Sequence, residues 1–468
     1  MDVNSGDVAW VLASTALVLL MTPGLAFFYG GMTKAKSTLN MMLMSFATIC
    51  IVSVLWVIYG FSLAFGNSGS SLYGAFSLSG LSDAVNQVTN NGGPYGIPLL
   101  LFAGFQLMFA VITPALISGA IADRTKFLTW SIFVALWVTI VYFPVAHWVF
   151  DFGDKDADGN ITGGGWLANL GVEDFAGGTA VHINAGAAGL ALAIVLGRRI
   201  GFKKNPTRPH NLPLVMIGAG LLWFGWFGFN AGSALAANGQ AVLALMNTQV
   251  ATAAALGGWL LVEKIRDGHP TTLGAASGAV AGLVAVTPAC AFIAPWAAVV
   301  LGVLAGMICS FAVGLKYRFN FDDSLDVVGV HLVGGIVGCL FIGFFGTSFT
   351  IGADKTAYTW GVKGLFYGGG WTLLGHQAVG AFSVLAYSLI VTLILGFLLE
   401  KTIGFRISRD AELEGIDLTE HAESAYEFEG SVGGGTFTGG ALGGGTAVKT
   451  KPAAETVSVT DTDSEVTA

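Results

Sequence analysis

Long apolar runs, broken by short polar segments, recur along the chain from its start to about residue 400. A run of about 20 residues, folded as a helix, crosses the hydrocarbon core of a bilayer. The pattern predicts eleven such helices, over 8–30, 39–66, 97–122, 127–150, 176–197, 211–236, 242–262, 272–289, 295–315, 326–346 and 377–400. The expected fold class is an all-α integral membrane protein. Too many runs exceed core-helix length for a soluble protein with buried helices. The opening residues, MDVNSGDVAW, lack the basic stretch of a signal peptide, so the first span is read as part of the mature protein.

Eleven spans put the two ends on opposite sides, and the basic residues say which. Loops after odd-numbered spans hold Lys34, Lys36, Arg124, Lys126, Arg198, Arg199, Lys203, Lys204, Arg208, Lys264, Arg266, Lys316 and Arg318. Loops after even-numbered spans hold only Lys155, Lys355 and Lys363, and the tail holds five more. Positive charge gathers on the cytoplasmic side of spanning proteins. The expectation is a multi-pass protein of the cell membrane, N-terminus outside and C-terminus in the cytoplasm.

Composition agrees: 54% of residues are hydrophobic and 11% charged, against about a quarter charged in soluble domains. The 67 glycines suit close helix packing. Four cysteines lie in or beside apolar runs without CxxC spacing and are read as packing residues. The expected organisation is a transmembrane domain over 1–403, a cytoplasmic segment over 404–430 and a disordered Gly-rich tail over 431–468.

Ionisable residues at membrane depth are costly and mark functional candidates. His182 falls within the fifth span and His331 within the tenth. Each is followed at the fourth position by a glycine, Gly186 and Gly335, and preceded by an aspartate near the helix start, Asp174 and Asp326. Five spans separate the histidines, and an odd offset reverses helix direction. That is the symmetry of an inverted repeat, spans one to five against six to ten, with a substrate path at the interface. A lone histidine would as readily be a satisfied packing residue; a matched pair argues for function. No third ligand joins them as a catalytic metal would want, and no cofactor is expected. His147, His210 and His376 lie at span ends or in loops and are read as solvated.

Aromatic residues form a second constellation. Phe105 and Phe109 share one helix face; so do Trp226, Phe229 and Ser233. Aromatic faces attract a small cation, and a hydroxyl accepts a hydrogen bond from a cation that carries N–H groups.

Several stretches together resemble the ammonium transporter family (Amt/Mep/Rh), in its bacterial branch. They are MTPGLAFFYGG at 21–31, FQLMFA at 105–110, DFAGGTAVHINAG at 174–186, GWFGFNAGSA at 225–234, GAVAGLVAVTPAC at 278–290 and DVVGVHLVGGIVGC at 326–339. The resemblance implies a homotrimer with a pore in each subunit. His182 and His331 would be hydrogen-bonded pore histidines. Phe105, Phe109 and Ser233 would form an outer recruitment site, Phe109 and Phe229 a gate beneath it, and Trp226 would line the pore below. Asp174 would be a structural aspartate and helix N-cap.

Two departures stand out. A tryptophan is expected at the outer site from the end of the fourth span, where this chain has Phe150, with Trp148 two residues earlier. The loop 154–166 reads Asp154, Asp156, Asp158, Gly159 like a calcium loop, but Gly165 replaces the closing glutamate. A solvated acidic turn is the plainer reading.

The expected activity is transport of ammonium, with methylammonium as analogue: recruitment as the cation, loss of a proton, and passage as ammonia. A sensor with little net flux would share every pore residue. Residues 404–430 resemble the family's cytoplasmic region, which implies a PII-type signalling partner there. No GxxxxGK(S/T) phosphate loop or enzyme chemistry occurs, and no nucleic-acid partner is expected.

Overall fold

The structure is a computed structural model that describes residues 3–66, 70–89, 96–155, 161–204, 208–352 and 358–426. Its spanning helices are α1 (Ser5–Met32), α2 (Ala35–Phe65), α3 (Leu99–Ile121), α4 (Phe127–Phe150), α5 (Gly178–Leu196), α6 (Leu212–Gly232), α7 (Gly239–Arg266), α8 (Thr272–Val286), α9 (Pro295–Phe319), α10 (Val328–Phe345) and α11 (Thr372–Thr402). Ten have the length and apolarity of a full span, and α8 is shorter at 15 residues. Side-chain caps open several: Asn4 for α1, Asn211 for α6, Asn238 for α7 and Thr271 for α8. Such residues satisfy amides that a helix start leaves unpaired.

Glycines set the helix separations. Along the α1–α6 contact, a Cβ on Gly24 would lie 3.0 Å from that of Leu221, and one on Gly228 2.6 Å from that of Leu17. Between α7 and α9, Gly258 lies against the Val303 backbone. In lipid, where apolar burial drives little association, such close approach supplies much of the attraction between helices.

The central crossing is that of α5 and α10. A Cβ on Gly186 would lie 2.5 Å from the amide nitrogen of Leu332, beside His331. One on Gly335 would lie 2.9 Å from Ile183 Cγ1, beside His182. Each glycine thus makes room for the other helix next to its histidine. The histidines lie in matching π-helical turns, Gly178–Ile183 and Val328–Leu332. Such wide turns collect at functional sites.

The repeat also holds at the helix starts, with one correction. Asp174 accepts from Gly177 N (2.8 Å), Gly178 N (2.7 Å), Thr179 N (2.8 Å) and Ala180 N (3.1 Å). Its counterpart is Asp323, which accepts from Val327 N (3.1 Å) and Val328 N (2.8 Å). Asp326 sits in the left-handed backbone region (φ 65°) and pairs with Lys316 at 2.7 Å. Asp174 and Asp323 each precede their histidine by eight positions, a spacing Asp326 does not share.

The odd-numbered loops meet on one face. Arg199 pairs with Asp123 and Asp322, each at 2.9 Å. Burial would raise the Asp322 carboxyl, yet Arg199 holds it below the usual range. Arg124, fully buried, donates to the Asp322 carbonyl at 2.6 Å. The segment after α11 docks on the same face: Arg406 donates to the Leu196 carbonyl (2.7 Å) and pairs with Glu412 (2.8 Å). Asp417 caps α2 through Leu39 N (3.0 Å) and Asn40 N (2.8 Å).

Two histidines expected to be solvated have protein partners instead, one of them buried and the other only partly exposed. His147 is buried, with Nδ1 3.0 Å from the Ala64 carbonyl and 3.1 Å from Asp151. His210 contacts the Thr33 carbonyl (3.0 Å) and Tyr426 (2.8 Å). Both sit where loop backbone folds over a helix end and needs a partner. Cys50 is exposed, whereas the other three cysteines are buried. Positions 156–160 of the acidic loop, and the tail from 427, lie outside the described residues.

Gly186→Ala puts a methyl into the α5–α10 contact. It is expected to cost about 1–3 kcal/mol, read as a lower thermal-unfolding midpoint in detergent. An unchanged midpoint would mean that the crossing is looser than described.

Candidate functional site

His182 Nδ1 and His331 Nδ1 stand 3.3 Å apart, with ring centroids at 5.3 Å and planes 25° apart. A hydrogen bond between these atoms needs one Nδ1 to carry hydrogen and the other to accept. For neutral rings this makes one Nε2 a donor and the other an acceptor. The pair then presents both polarities outward. His182 Nε2 is buried and has no partner among the described residues.

The cavity beside the pair is small, about 10 Å³ in volume, near the lower limit for one water. Its other walls include Leu25, Phe28, Ile112, Leu222 and Val280. Trp226 stacks on His182 at 5.3 Å and 20°. The indole N–H of Trp226 is taken by Thr287 Oγ1 (2.8 Å), whose hydroxyl donates to the Leu283 carbonyl (2.7 Å). That chain fixes the indole and keeps its N–H out of the cavity.

Above the histidines, Phe109 and Phe229 lie against each other at 4.3 Å and 35°. Phe229 is 6.0 Å from the His182 ring, and Phe105 is 5.0 Å from Phe109. Beyond them opens a vestibule of about 220 Å³, lined by Phe105, Phe109, Phe150, Ser233, Glu173 and Asp174 among others. Ser233 Oγ donates to the Phe229 carbonyl at 2.8 Å. Its hydrogen is thereby spent, and its oxygen is left to accept from an incoming donor.

The structure therefore brings together His182, His331, Trp226, Phe229, Phe109, Phe105, Ser233, Phe150 and Asp174. Trp148 lies apart. Its indole N–H donates to the Leu72 carbonyl (2.8 Å) and its ring packs on Tyr387 (4.7 Å) and Trp166 (5.8 Å). Two positions on a helix turn through about 200°, so Phe150 faces the vestibule and Trp148 the outer loops. Sequence reasoning overlooked Thr287, although it stands in the VTPAC stretch, and Glu173, a second carboxylate just ahead of a spanning helix.

Among the described residues, eleven apolar helices in inverted halves, with a cup on one side and a narrow histidine-bridged cavity within, define a multi-pass membrane transporter. Comparison with known proteins narrows the class. The Ammonium Transporter Family model matches residues 9–426. The ammonium transporter of Mycobacterium tuberculosis (strain H37Rv) is 55% identical over 440 residues, 91% of each chain. Among solved structures, Saccharomyces cerevisiae Mep2 matches with a TM-score of 0.76 at 32% identity, covering 87% of this chain and 91% of its own. A protein titled Sensor Amt Protein matches with a TM-score of 0.77 at 29% identity, covering 89% and 98%. The chain belongs to the ammonium transporter family, whose relatives are named as transporters and not as enzymes.

Asp174→Ala removes the acceptor of four buried amides. It is expected to destabilise by about 3 kcal/mol or more, seen as loss of monodisperse protein or a lower midpoint. Asp174→Asn, which keeps one carbonyl acceptor, should fall between. Equal stability of all three proteins would contradict the capping role.

Proposed function

We propose that ammonium is recruited as a cation in the vestibule, gives up its proton below the Phe109–Phe229 pair to the His182–His331 imidazole pair, and crosses as ammonia beside those rings. The observation that carries this reading is the 3.3 Å imidazole contact beside a cavity of about 10 Å³, with His182 Nε2 buried and without a partner among the described residues. Phe105 and Phe109 offer ring faces to the cation, and Ser233 offers an oxygen to its N–H. Phe150 takes the place of a larger indole, which makes the outer site a weaker cage. Trp226 walls the path below.

Selectivity follows from desolvation. Ammonium and potassium match in charge and nearly in size, so a hole of fixed radius separates them poorly. A bare cation in an apolar constriction costs several kcal/mol. Potassium bears that cost in full, whereas ammonium escapes it by losing a proton. The histidines then supply hydrogen bonds along a path without water and offer a separate route for the proton.

The assembly is proposed as a homotrimer in the cell membrane, N-terminus outside, with 1–403 as the membrane domain. The charge bias of the loops supports the orientation. The docked segment within 404–430 supports regulation at the cytoplasmic face by a PII-type protein, with 431–468 as a flexible tail. The sensor-titled neighbour favours a second reading, an ammonium sensor with little flux. Methylammonium uptake into proteoliposomes separates the two, since a sensor would give no more than empty vesicles.

Replacing both His182 and His331 by Glu puts charge acceptors into the constriction. Potassium currents should rise by about ten-fold or more over those of the parent, as a desolvation penalty of a few kcal/mol is offset. Full rejection of potassium by that variant, with ammonium still conducted, would refute this account of selectivity.

A further inference from the structure

The vestibule holds a carboxylate that the pathway above does not use. Glu173 lies in the loop before α5 and lines the cup together with Asp174. Its backbone is clamped from α11: its N–H donates to Gln377 Oε1 (2.7 Å) and its carbonyl accepts from Gln377 Nε2 (2.7 Å). Gln377 is fully buried and also donates to the Cys339 carbonyl at 3.1 Å. The main chain that carries Glu173 is therefore held in place. Its carboxylate has no hydrogen-bond donor or basic partner among the described residues.

The neighbouring charges leave Glu173 to act alone. Asp174 spends both oxygens on the four amides at the start of α5. On α11 the nearest titratable group along the chain is His376, beside Gln377. Across the cup, Tyr358 donates its phenol to Gln240 Oε1 at 3.2 Å. The remaining described walls, Phe105, Gln106, Phe150, Ser233 and Asn238 among them, are uncharged.

We propose that Glu173 is a cation-recruiting residue of the vestibule, whose carboxylate concentrates ammonium at the mouth of the aromatic pair and does so only when ionised. This rests on the vestibule being the entry site. Burial pushes the Glu173 carboxyl up to about 7, so its charge switches near neutral pH. Above that value the carboxylate is present and attracts a cation; below it the group is neutral and the attraction is lost. The attraction depends on charge alone. It raises the affinity for ammonium without distinguishing it from potassium, so discrimination stays with the dry constriction.

The test is ammonium-evoked current from the full chain in proteoliposomes, with KM and maximal current measured between about pH 5.5 and 8. Across this range ammonium itself stays protonated. For the parent protein, KM should fall about five-fold as pH rises through neutrality, the scale of one charge at short range in a wet cup. Glu173→Gln should hold the parent's acidic-pH KM at every pH, with maximal current and potassium rejection unchanged. Glu173→Asp keeps the charge and should restore a pH-dependent KM, which a merely structural role would not predict.

A parent-like KM profile in Glu173→Gln overturns the proposal, as does lowered maximal current with KM intact. Phe105→Ala and Ser233→Ala test the entry reading separately. If neither raises KM while Glu173→Gln still flattens the profile, the aromatic site fails and the recruiting carboxylate stands.

Discussion

A bilayer core has no water with which to satisfy a polar group, and everything distinctive in this molecule answers to that constraint. Most side chains at depth are apolar, and several buried hydroxyls turn back on their own helices, as Thr113 does onto the Phe109 carbonyl at 2.7 Å. The two imidazoles at the α5–α10 crossing reach across to another helix instead. They satisfy each other through Nδ1 and leave Nε2 of His182 unpaired in a cavity too small for bulk water. An unpaired buried polar atom is expensive, and here it belongs to a ring that lines the small cavity.

The pairing depends on backbone before side chains. Gly186 and Gly335 let α5 and α10 approach until each helix meets the other beside its histidine. The π-helical turns at both places place the rings toward one another. Wide turns at the start of a helix leave amides to be accounted for, and Asp174 and Asp323 accept them. Crossing, turn and cap thus form one device, present twice in opposite directions.

The loop face next to the docked segment obeys a different economy. Its guanidinium groups are largely buried and bonded at their terminal nitrogens: Arg199 with two carboxylates, and Arg124 with carbonyls and Ser324. The segment after α11 completes this network through Arg406 and Asp417. A rearrangement there would disturb the ends of α2 and α5 together. That is a physical link between the loop face and the helix that carries His182.

The spans, their number and the parity of the loops were legible in the sequence, because hydrocarbon thickness imposes a length and lipid imposes a composition. The histidine pair and its glycines were legible too, since membrane depth makes a lone ionisable residue conspicuous and the repeat shows it twice. Other features depended on direction and distance. The wide turns, the choice of Phe150 over Trp148, the partners of His147 and His210, and Asp323 as the true counterpart of Asp174 appear only when helices are set side by side. Glu173 in the cup belongs with them. Periodicity records which residues face away from water; it does not record which of them face each other, because that is decided by the angles and separations at which helices pack.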